Sequence, residues 1–210
     1  MNNAEGILIT LEGVEGAGKS THLAFISALL AQSDREVVST REPGGTLLGE
    51  QIRELLLRQD ACPIDRMSEL LMMFAARVQH LQEVVVPALR KGKIVLCDRF
   101  IDSSYAYQGG GRGIPAQTIT RLVELSDVDL TPDLTLLFDV PVATGLGRIR
   151  RQRPADRFEN EQLEFFQKVR SAYLEIAAAE PDRVYVIDTD TDIASVQSRI
   201  THIMKERGLC

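Results

Sequence analysis

The chain has 210 residues, of which 44% are hydrophobic and 26% are charged. These proportions are typical of folded globular proteins, and they argue against an intrinsically disordered, collagen-like or coiled-coil chain. Thirty acidic residues outnumber 24 basic ones, and the net charge of -6 leaves no global positive field to hold a nucleic-acid backbone. We therefore expect no nucleic-acid partner, and any bound anion must be held by local groups.

The cysteine content predicts a reducing compartment. Cys62, Cys97 and Cys210 are odd in number and form no CxxC pair, so neither a disulfide framework nor a structural zinc site is expected. No apolar run approaches the ~20 residues of a membrane span, and the first residues lack the pattern of a targeting segment. The sequence thus predicts a cytoplasmic protein with no membrane partner.

Short apolar runs alternate along the chain with longer segments of helical period. This pattern is typical of βαβ units around a buried parallel sheet, and it predicts an α/β fold. The predicted strands cover residues 7–11, 36–40, 94–97, 134–138 and 184–187. The predicted helices cover residues 19–33, 46–58, 65–89, 114–127, 142–151, 161–179 and 193–207. Without a linker or repeat, residues 1–210 are interpreted as one domain.

Two clusters interrupt this regular alternation. One is the glycine cluster at 109–113, which contains Arg112, and the other is an arginine cluster at 148–153 that Pro154 closes. We expect both to be exposed, mobile segments.

The strongest single motif is GVEGAGKS at 13–20, a full GxxxxGK[ST] match between a predicted strand and a predicted helix. Glycines let consecutive backbone N–H groups approach a nucleotide phosphate, and the helix N-terminus adds further donors. Lys19 supplies a positive charge to the β and γ phosphates, and the Ser20 hydroxyl can ligate Mg²⁺. The predicted ATP-binding residues are Gly13, Val14, Glu15, Gly16, Ala17, Gly18, Lys19, Ser20 and Thr21.

A second motif follows the predicted strand at 94–97. Asp98 and Arg99 come at its carboxyl end, the edge of a parallel sheet at which ligands bind. Asp98 is a candidate Mg²⁺ ligand and Arg99 a candidate phosphate ligand. A structural salt bridge is the alternative for this pair.

The remaining motifs favour a kinase over a switch. No Asn-Lys-x-Asp follows a strand, as a guanine-reading GTPase requires, and motors carry further elements. Arginines are instead frequent in the predicted loops, as phosphoryl transfer to an anionic acceptor requires.

At this point the sequence resembles the thymidylate kinase family in its bacterial form. The resemblance covers nearly the whole chain. It is carried by LEGVEGAGKST at 11–21, TREPGGT at 40–46, FAAR at 74–77, DRF at 98–100, YAYQGGGRG at 105–113, PDLTL at 132–136 and DRFE at 156–159.

The resemblance implies phosphorylation of dTMP to dTDP with MgATP as donor. It also implies a homodimer and a P-loop NTPase-type three-layer αβα fold with a five-stranded parallel sheet. A lid is expected at about 148–158. The long predicted helix at 68–89 is a candidate dimer interface.

The resemblance further implies roles for individual residues toward dTMP. Phe74 would stack on thymine, Tyr107 would lie beneath the deoxyribose and disfavour a 2′-hydroxyl, and Ser104 would lie near the base. The base edge would be read by Arg77 and Gln108, and the acceptor phosphate would be held by Arg41 and Arg99. Core packing remains an alternative for Phe74 and Tyr107, and Arg112 is as consistent with solvation as with ligand binding.

Glu15 implies that the catalytic positive charge comes from the lid, because a carboxylate in the phosphate loop cannot stabilise negative charge on the transferring phosphoryl group. The candidates are Arg151 and Arg153, which flank Gln152 where relatives place an arginine. The expected catalytic set is thus Lys19, Glu15, Asp98, Arg151 and Arg153. Another nucleoside-monophosphate kinase and a nucleotide-binding regulatory module remain alternative functions.

Overall fold

The structure, a computed structural model, describes residues 6–58, 63–126, 130–150, 157–159 and 161–210. Its centre is a five-stranded parallel sheet in the order β2-β3-β1-β4-β5. The strands are β1 Ile7–Glu12, β2 Val37–Arg41, β3 Ile94–Asp98, β4 Leu134–Asp139 and β5 Val184–Asp188. All five predicted strands and the α/β fold class are confirmed, with boundaries within one residue.

The seven predicted helical segments are confirmed, whereas the helical stretch at 101–111 has no counterpart among them. They are α1 Lys19–Leu30, α2 Leu47–Leu57, α3 Arg66–His80, α4 Val86–Arg90, α5 Ile101–Ser104, α6 Ala116–Leu125, α7 Val142–Arg150, α8 Leu163–Ala179 and α9 Ile193–Glu206. Two π-helical segments join neighbours: π1 Leu81–Val85 links α3 to α4, and π2 Tyr105–Gly111 follows α5. The predicted helix at 65–89 is therefore helical throughout, with a wider turn at π1.

Side-chain caps fix the first residues of several helices. The Thr46 hydroxyl accepts from the Gly49 N–H at 3.0 Å. Asp65 accepts from the N–H groups of residues 67 and 68, and Asp192 accepts from that of Ser195. Each cap satisfies donors that the first helical turn leaves unpaired.

Both faces of the sheet are covered, which produces three layers. Leu8 and Val95 pack on one face against Leu81 and Val85 of π1. Ile9 belongs to a second cluster that includes side chains of α1 and α9. Successive strand residues thus bury opposite faces, as a sheet enclosed between helices requires.

The expectation of an exposed glycine cluster at 109–113 is wrong for residues 109–111. Residues 109–111 belong to π2, which packs against α8. A Cβ on Gly110 would lie 2.7 Å from the Cβ of Ala172, and one on Gly111 would lie 2.5 Å from the ring of Phe165. The glycines therefore serve close backbone packing, which composition alone cannot distinguish from flexibility.

Within the described ranges, no helix combines the length and apolar character that crossing a bilayer requires. Cys97 is buried and Cys210 exposed, both as free thiols, whereas Cys62 lies outside the described residues. A cytoplasmic location remains a prediction from the sequence.

Candidate active site

The phosphate loop connects β1 to α1 in the conformation that its glycines allow. Gly13, Gly16 and Gly18 have φ angles of 136°, 71° and 96°. A Cβ on Gly13 would lie 2.2 Å from the Phe138 carbonyl oxygen. Glycine is thus required here both for positive φ and for close approach to β4.

Lys19 is the first residue of α1, and its side chain folds back over the loop. Its Nζ donates to the carbonyl oxygens of Gly13 at 2.8 Å and Val14 at 3.3 Å. Burial, and after it the positive charge of Arg99, lower the pKa of Lys19 to about 8. The charged form of Lys19 is therefore disfavoured in this buried position, and a bound anion beside it would favour that form.

The second predicted motif lies beside this loop. In the sheet register Leu11 pairs with Asp98, so the ends of β1 and β3 bring Glu12 and Arg99 together. Arg99 has a φ of 71°, which is uncommon for a residue with a side chain and is typical of strained positions at functional sites. The Oδ1 atom of Asp98 is buried and has no hydrogen-bond partner among the residues that the structure describes.

Arg99 is held by a set of hydroxyl and carboxylate oxygens. Its Nη2 donates to Glu15 and to the Tyr107 hydroxyl, both at 3.0 Å. Its Nη1 donates to Tyr173 at 3.2 Å and Ser103 at 3.3 Å. The guanidinium also lies over the Tyr107 ring, 4.8 Å from its centroid. The predicted phosphate ligand is thus fixed in place by four neighbours.

Tyr107 links Arg99 to Glu15. Burial raises the pKa of the Tyr107 hydroxyl well above its ordinary value, so the group stays protonated and donates to the Glu15 carboxylate at 2.6–2.7 Å. The ring packs edge-on against Phe158, Phe165 and Tyr173. Tyr107 therefore combines a packing role with a polar tip at the cavity.

Arg77 lies in a buried polar pocket next to Arg99. Its Nε donates to Glu42 at 2.7 Å, its Nη1 to Ser104 at 2.9 Å, and its Nη2 to the Phe100 carbonyl at 3.1 Å. Glu42 also contacts Nδ1 of His80 at 3.0 Å. His80 is thereby a fully buried partner of Glu42.

Glu69 is the centre of a second buried ion-pair cluster. This fully buried carboxylate accepts from Gln108 at 3.0 Å, from Arg112 at 3.1–3.2 Å and from Arg157 at 2.7 Å. Arg112 also pairs with Glu161 at 2.6 Å. The structure thus gives Arg112 two carboxylate partners, where the sequence left solvation and ligand binding open.

One cavity of about 510 Å³ is lined by the phosphate loop, by Arg99 and Tyr107, and by Arg77. Its walls include most of the predicted residues: Glu15, Gly16, Ala17, Gly18, Lys19, Ser20, Thr21, Arg77, Asp98, Arg99, Ser104, Tyr107 and Gln108. The phosphate loop and the Arg99 turn therefore open into the same space.

Two predicted dTMP residues are absent from the cavity lining. Phe74 is 4% exposed and packs with Leu70, Ile114 and Ile119, while Arg77 lies 5.1 Å from its ring centroid. Arg41 is half exposed and pairs with Glu50 at 2.8 Å. Of the loop residues, Gly13 and Val14 also lie behind the lining rather than in it. Arg151, Arg153 and Gln152 lie outside the described residues.

Two lining arginines lie outside the predicted set of site residues, although one of them belongs to the predicted arginine cluster at 148–153. Arg53 of α2 faces the cavity and donates to the Pro43 carbonyl at 3.0 Å. Arg148 of α7 joins the phosphate loop to the segment after β5, through Gly16 at 3.3 Å and Thr189 at 2.9 Å. Arg53 lies in a helix rich in charged residues, so no sequence signal distinguishes it from a solvated arginine.

Comparison with known proteins identifies the family. The family model described as thymidylate kinase matches residues 11–200. The thymidylate kinase of Methylococcus capsulatus is 53% identical over 195 residues, 93% of each chain. That of Pseudomonas savastanoi pv. phaseolicola is 50% identical over 201 residues, 96% of each chain.

A solved structure agrees with these sequence matches. The crystal structure of thymidylate kinase from Ehrlichia chaffeensis aligns with a TM-score of 0.78 and 35% identity, covering 95% of this chain and 99% of that chain. The resemblance seen in the sequence is thereby confirmed over nearly the full length. This chain belongs to the thymidylate kinase family.

Proposed function

We propose that the protein phosphorylates dTMP to dTDP, with MgATP as the phosphoryl donor. The observation that carries this proposal is the single cavity into which the phosphate loop and Arg99 both open. A donor phosphate on the loop and an acceptor phosphate at Arg99 would then meet without intervening protein. No general base is needed, because the attacking oxygen belongs to an ionised phosphate.

Substrate choice tests this function directly. Initial rates of ADP release should be highest with dTMP and low with UMP, GMP and AMP at equal concentration. Faster turnover of GMP or AMP would indicate another nucleoside-monophosphate kinase. Tight ATP binding without acceptor-dependent ADP release would instead indicate a regulatory module.

On the donor side, the ATP phosphates bind the backbone N–H groups of residues 13–21 and the ammonium group of Lys19. The positive φ values of Gly13, Gly16 and Gly18 support this role, because they open the loop backbone toward an anion. Lys19 then neutralises charge between the β and γ phosphates.

On the acceptor side, the phosphate of dTMP binds Arg99, with Arg41 and Arg53 adding positive charge at the rim. Tyr107 lies beneath the sugar, and Glu15 accepts from the sugar 3′-hydroxyl in place of its present donors. Arg77, Ser104 and Gln108 read the base. Phe74 contacts thymine only if its ring edge reaches the cavity, since the ring is otherwise packed.

The described residues fit a magnesium ion that arrives with the nucleotide. No group of three or more acidic, histidine or cysteine side chains among them is arranged as a metal cage. Mg²⁺ ordinarily binds one or two protein oxygens and the substrate phosphates, so a sparse donor set suits it. Ser20 and Asp98, whose buried Oδ1 has no partner within the described ranges, would hold the ion. Bound there, it would neutralise phosphate charge.

Arg151 and Arg153 supply the remaining charge to the transferring group. Glu15 supports this assignment, because its carboxylate pairs with Arg99 inside the cavity and adds negative charge there. Arg148 donates a hydrogen bond to the phosphate loop and so anchors the start of the lid, which is expected at about 148–158.

We also propose that the protein is a homodimer that pairs through α2 and α3. These two packed helices expose an unusual number of large apolar side chains, namely Leu47, Leu48, Leu55, Met67 and Leu71. Light scattering should give twice the mass of the 23.3 kDa chain. A monomeric mass at micromolar concentration would contradict this arrangement.

A further inference from the structure

A buried carboxylate lies behind Arg99 and has no role in the reaction proposed above. Glu12 is the last residue of β1 and is fully buried. Its Oε1 accepts from the Phe100 N–H at 2.7 Å. Its Oε2 accepts from the Ser103 hydroxyl at 2.6 Å and the Tyr173 hydroxyl at 2.7 Å. One side chain therefore joins β1, the turn that carries Arg99, and α8.

The hydroxyl protons of this cluster have a defined direction. Ser103 and Tyr173 each carry one hydroxyl proton, and their oxygens lie 2.8 Å apart. An ionised carboxylate only accepts hydrogen bonds, so it draws both protons toward Glu12. The lone pairs of both oxygens are then free to accept from Nη1 of Arg99, at 3.3 and 3.2 Å.

The charge of Glu12 thus determines whether Ser103 and Tyr173, two of the four neighbours of Arg99, can accept hydrogen bonds from the Arg99 guanidinium. The other two, Glu15 and Tyr107, contact Nη2 and lie at the cavity. The guanidinium is therefore held from behind by the Glu12 cluster and from the front by groups that dTMP would displace or contact.

We propose that Glu12 is a positioning residue for the acceptor phosphate, acting through Ser103 and Tyr173 to orient the guanidinium of Arg99. This inference rests on the proposed role of Arg99 in binding the phosphate of dTMP. It predicts that changes at Glu12 weaken dTMP binding, although Glu12 itself touches no substrate.

The test compares Glu12→Gln and Tyr173→Phe with the unaltered protein. Glutamine keeps the shape of the side chain and can still accept from the Phe100 N–H. Its amide group then donates to the hydroxyls, so a hydroxyl proton must turn toward Arg99. Isothermal titration with dTMP at pH 8 should give a Kd about tenfold higher for Glu12→Gln, the loss expected for one hydrogen bond to a charged group.

Tyr173→Phe keeps the buried ring and removes one acceptor of Arg99. It should raise the Kd for dTMP severalfold, and the double variant should be little weaker than Glu12→Gln alone, because both changes act through one cluster. The KM for ATP should change less than about twofold in all of them, since the phosphate loop is untouched. A kcat that stays near normal at saturating dTMP, while kcat/KM for dTMP falls together with the affinity, would separate positioning from general damage.

Tyr105→Phe is the matched control. Its hydroxyl contacts Thr120 at the surface and is not connected to Glu12, so dTMP affinity should stay unchanged. Thermal unfolding of each variant shows whether it is folded. If Glu12→Gln does not fold, Tyr173→Phe decides the question by itself.

Arg99→Ala distinguishes the two levels of the proposal. If Arg99→Ala weakens dTMP binding while Glu12→Gln and Tyr173→Phe bind as tightly as the unaltered protein, the positioning role is refuted and the acceptor site stands. If Arg99→Ala also binds dTMP normally, the assignment of Arg99 fails and the inference fails with it.

Discussion

Replacing Lys19 by methionine should slow phosphoryl transfer without weakening the fold. Methionine has a similar length and no charge, so the change removes the ammonium group from the phosphate loop and leaves the packing of α1 intact. In comparable sites the loss of one preorganised charge-stabilising group lowers the rate by about 10²–10³. We expect kcat to fall by at least that factor.

The effect on stability follows from the environment of the ammonium group. A pKa lowered from 10.5 to about 8 corresponds to a penalty of roughly 3 kcal/mol on the charged form. Since the folded pKa is the lower one, this penalty is complete below pH 8 and disappears above pH 10.5. Methionine removes this penalty and also removes two hydrogen bonds from the charged ammonium group to loop carbonyls, each worth about 1.5 kcal/mol. The two effects nearly cancel, so the stability of the variant at pH 7 should lie within about 1 kcal/mol of that of the unaltered protein.

Coupled ADP-release kinetics and urea unfolding measure the two effects. Lys168→Met is the matched control, because Lys168 is exposed and forms a surface ion pair with Glu164. It should leave the rate unchanged and shift stability by less than about 0.5 kcal/mol. A Lys19→Met enzyme with nearly normal turnover, or one destabilised by several kcal/mol, would refute this reasoning.

Three further predictions concern other parts of the molecule. Phe74→Ala should lower the free energy of unfolding by about 3–5 kcal/mol, because the ring is buried in an apolar cluster. Titration with dTMP then shows whether the affinity for dTMP also falls. An unaltered unfolding curve would contradict the packing argument. Joint replacement of Arg151 and Arg153 by alanine should reduce kcat by roughly 10³ or more in steady-state assays; a change confined to the KM for dTMP would place them in the acceptor site instead. Burial, and next the charge of Asp102, raise the pKa of Glu12 to about 7, so the folded state keeps a proton that the unfolded chain releases above pH 4.5. The free energy of unfolding should therefore fall as pH rises from about 4.5 to 7. Across that window, chemical unfolding should show Glu12→Gln becoming more stable relative to the unaltered protein by up to roughly 3 kcal/mol. A stability difference between the two proteins that does not change with pH would exclude this titration.

The sequence alone determined the features that depend on local pattern. Alternating apolar runs and helical periods gave five strands and the main helices, because parallel strands enclosed by helices must be apolar on both faces. The phosphate loop was equally predictable, since its glycines and Lys19 act within one continuous segment.

The tertiary structure alone decided which distant side chains meet. Glu12, Ser103 and Tyr173 are widely separated in sequence, and no local pattern marks Glu12 as a partner of α8. The sequence wrongly predicts exposure for the glycines at 109–111, because glycine is used both in flexible segments and in close packing. Only the positions of Phe165 and Ala172 distinguish the two uses. Long-range contacts depend on how the elements pack, whereas sequence patterns report the conformation of each element by itself.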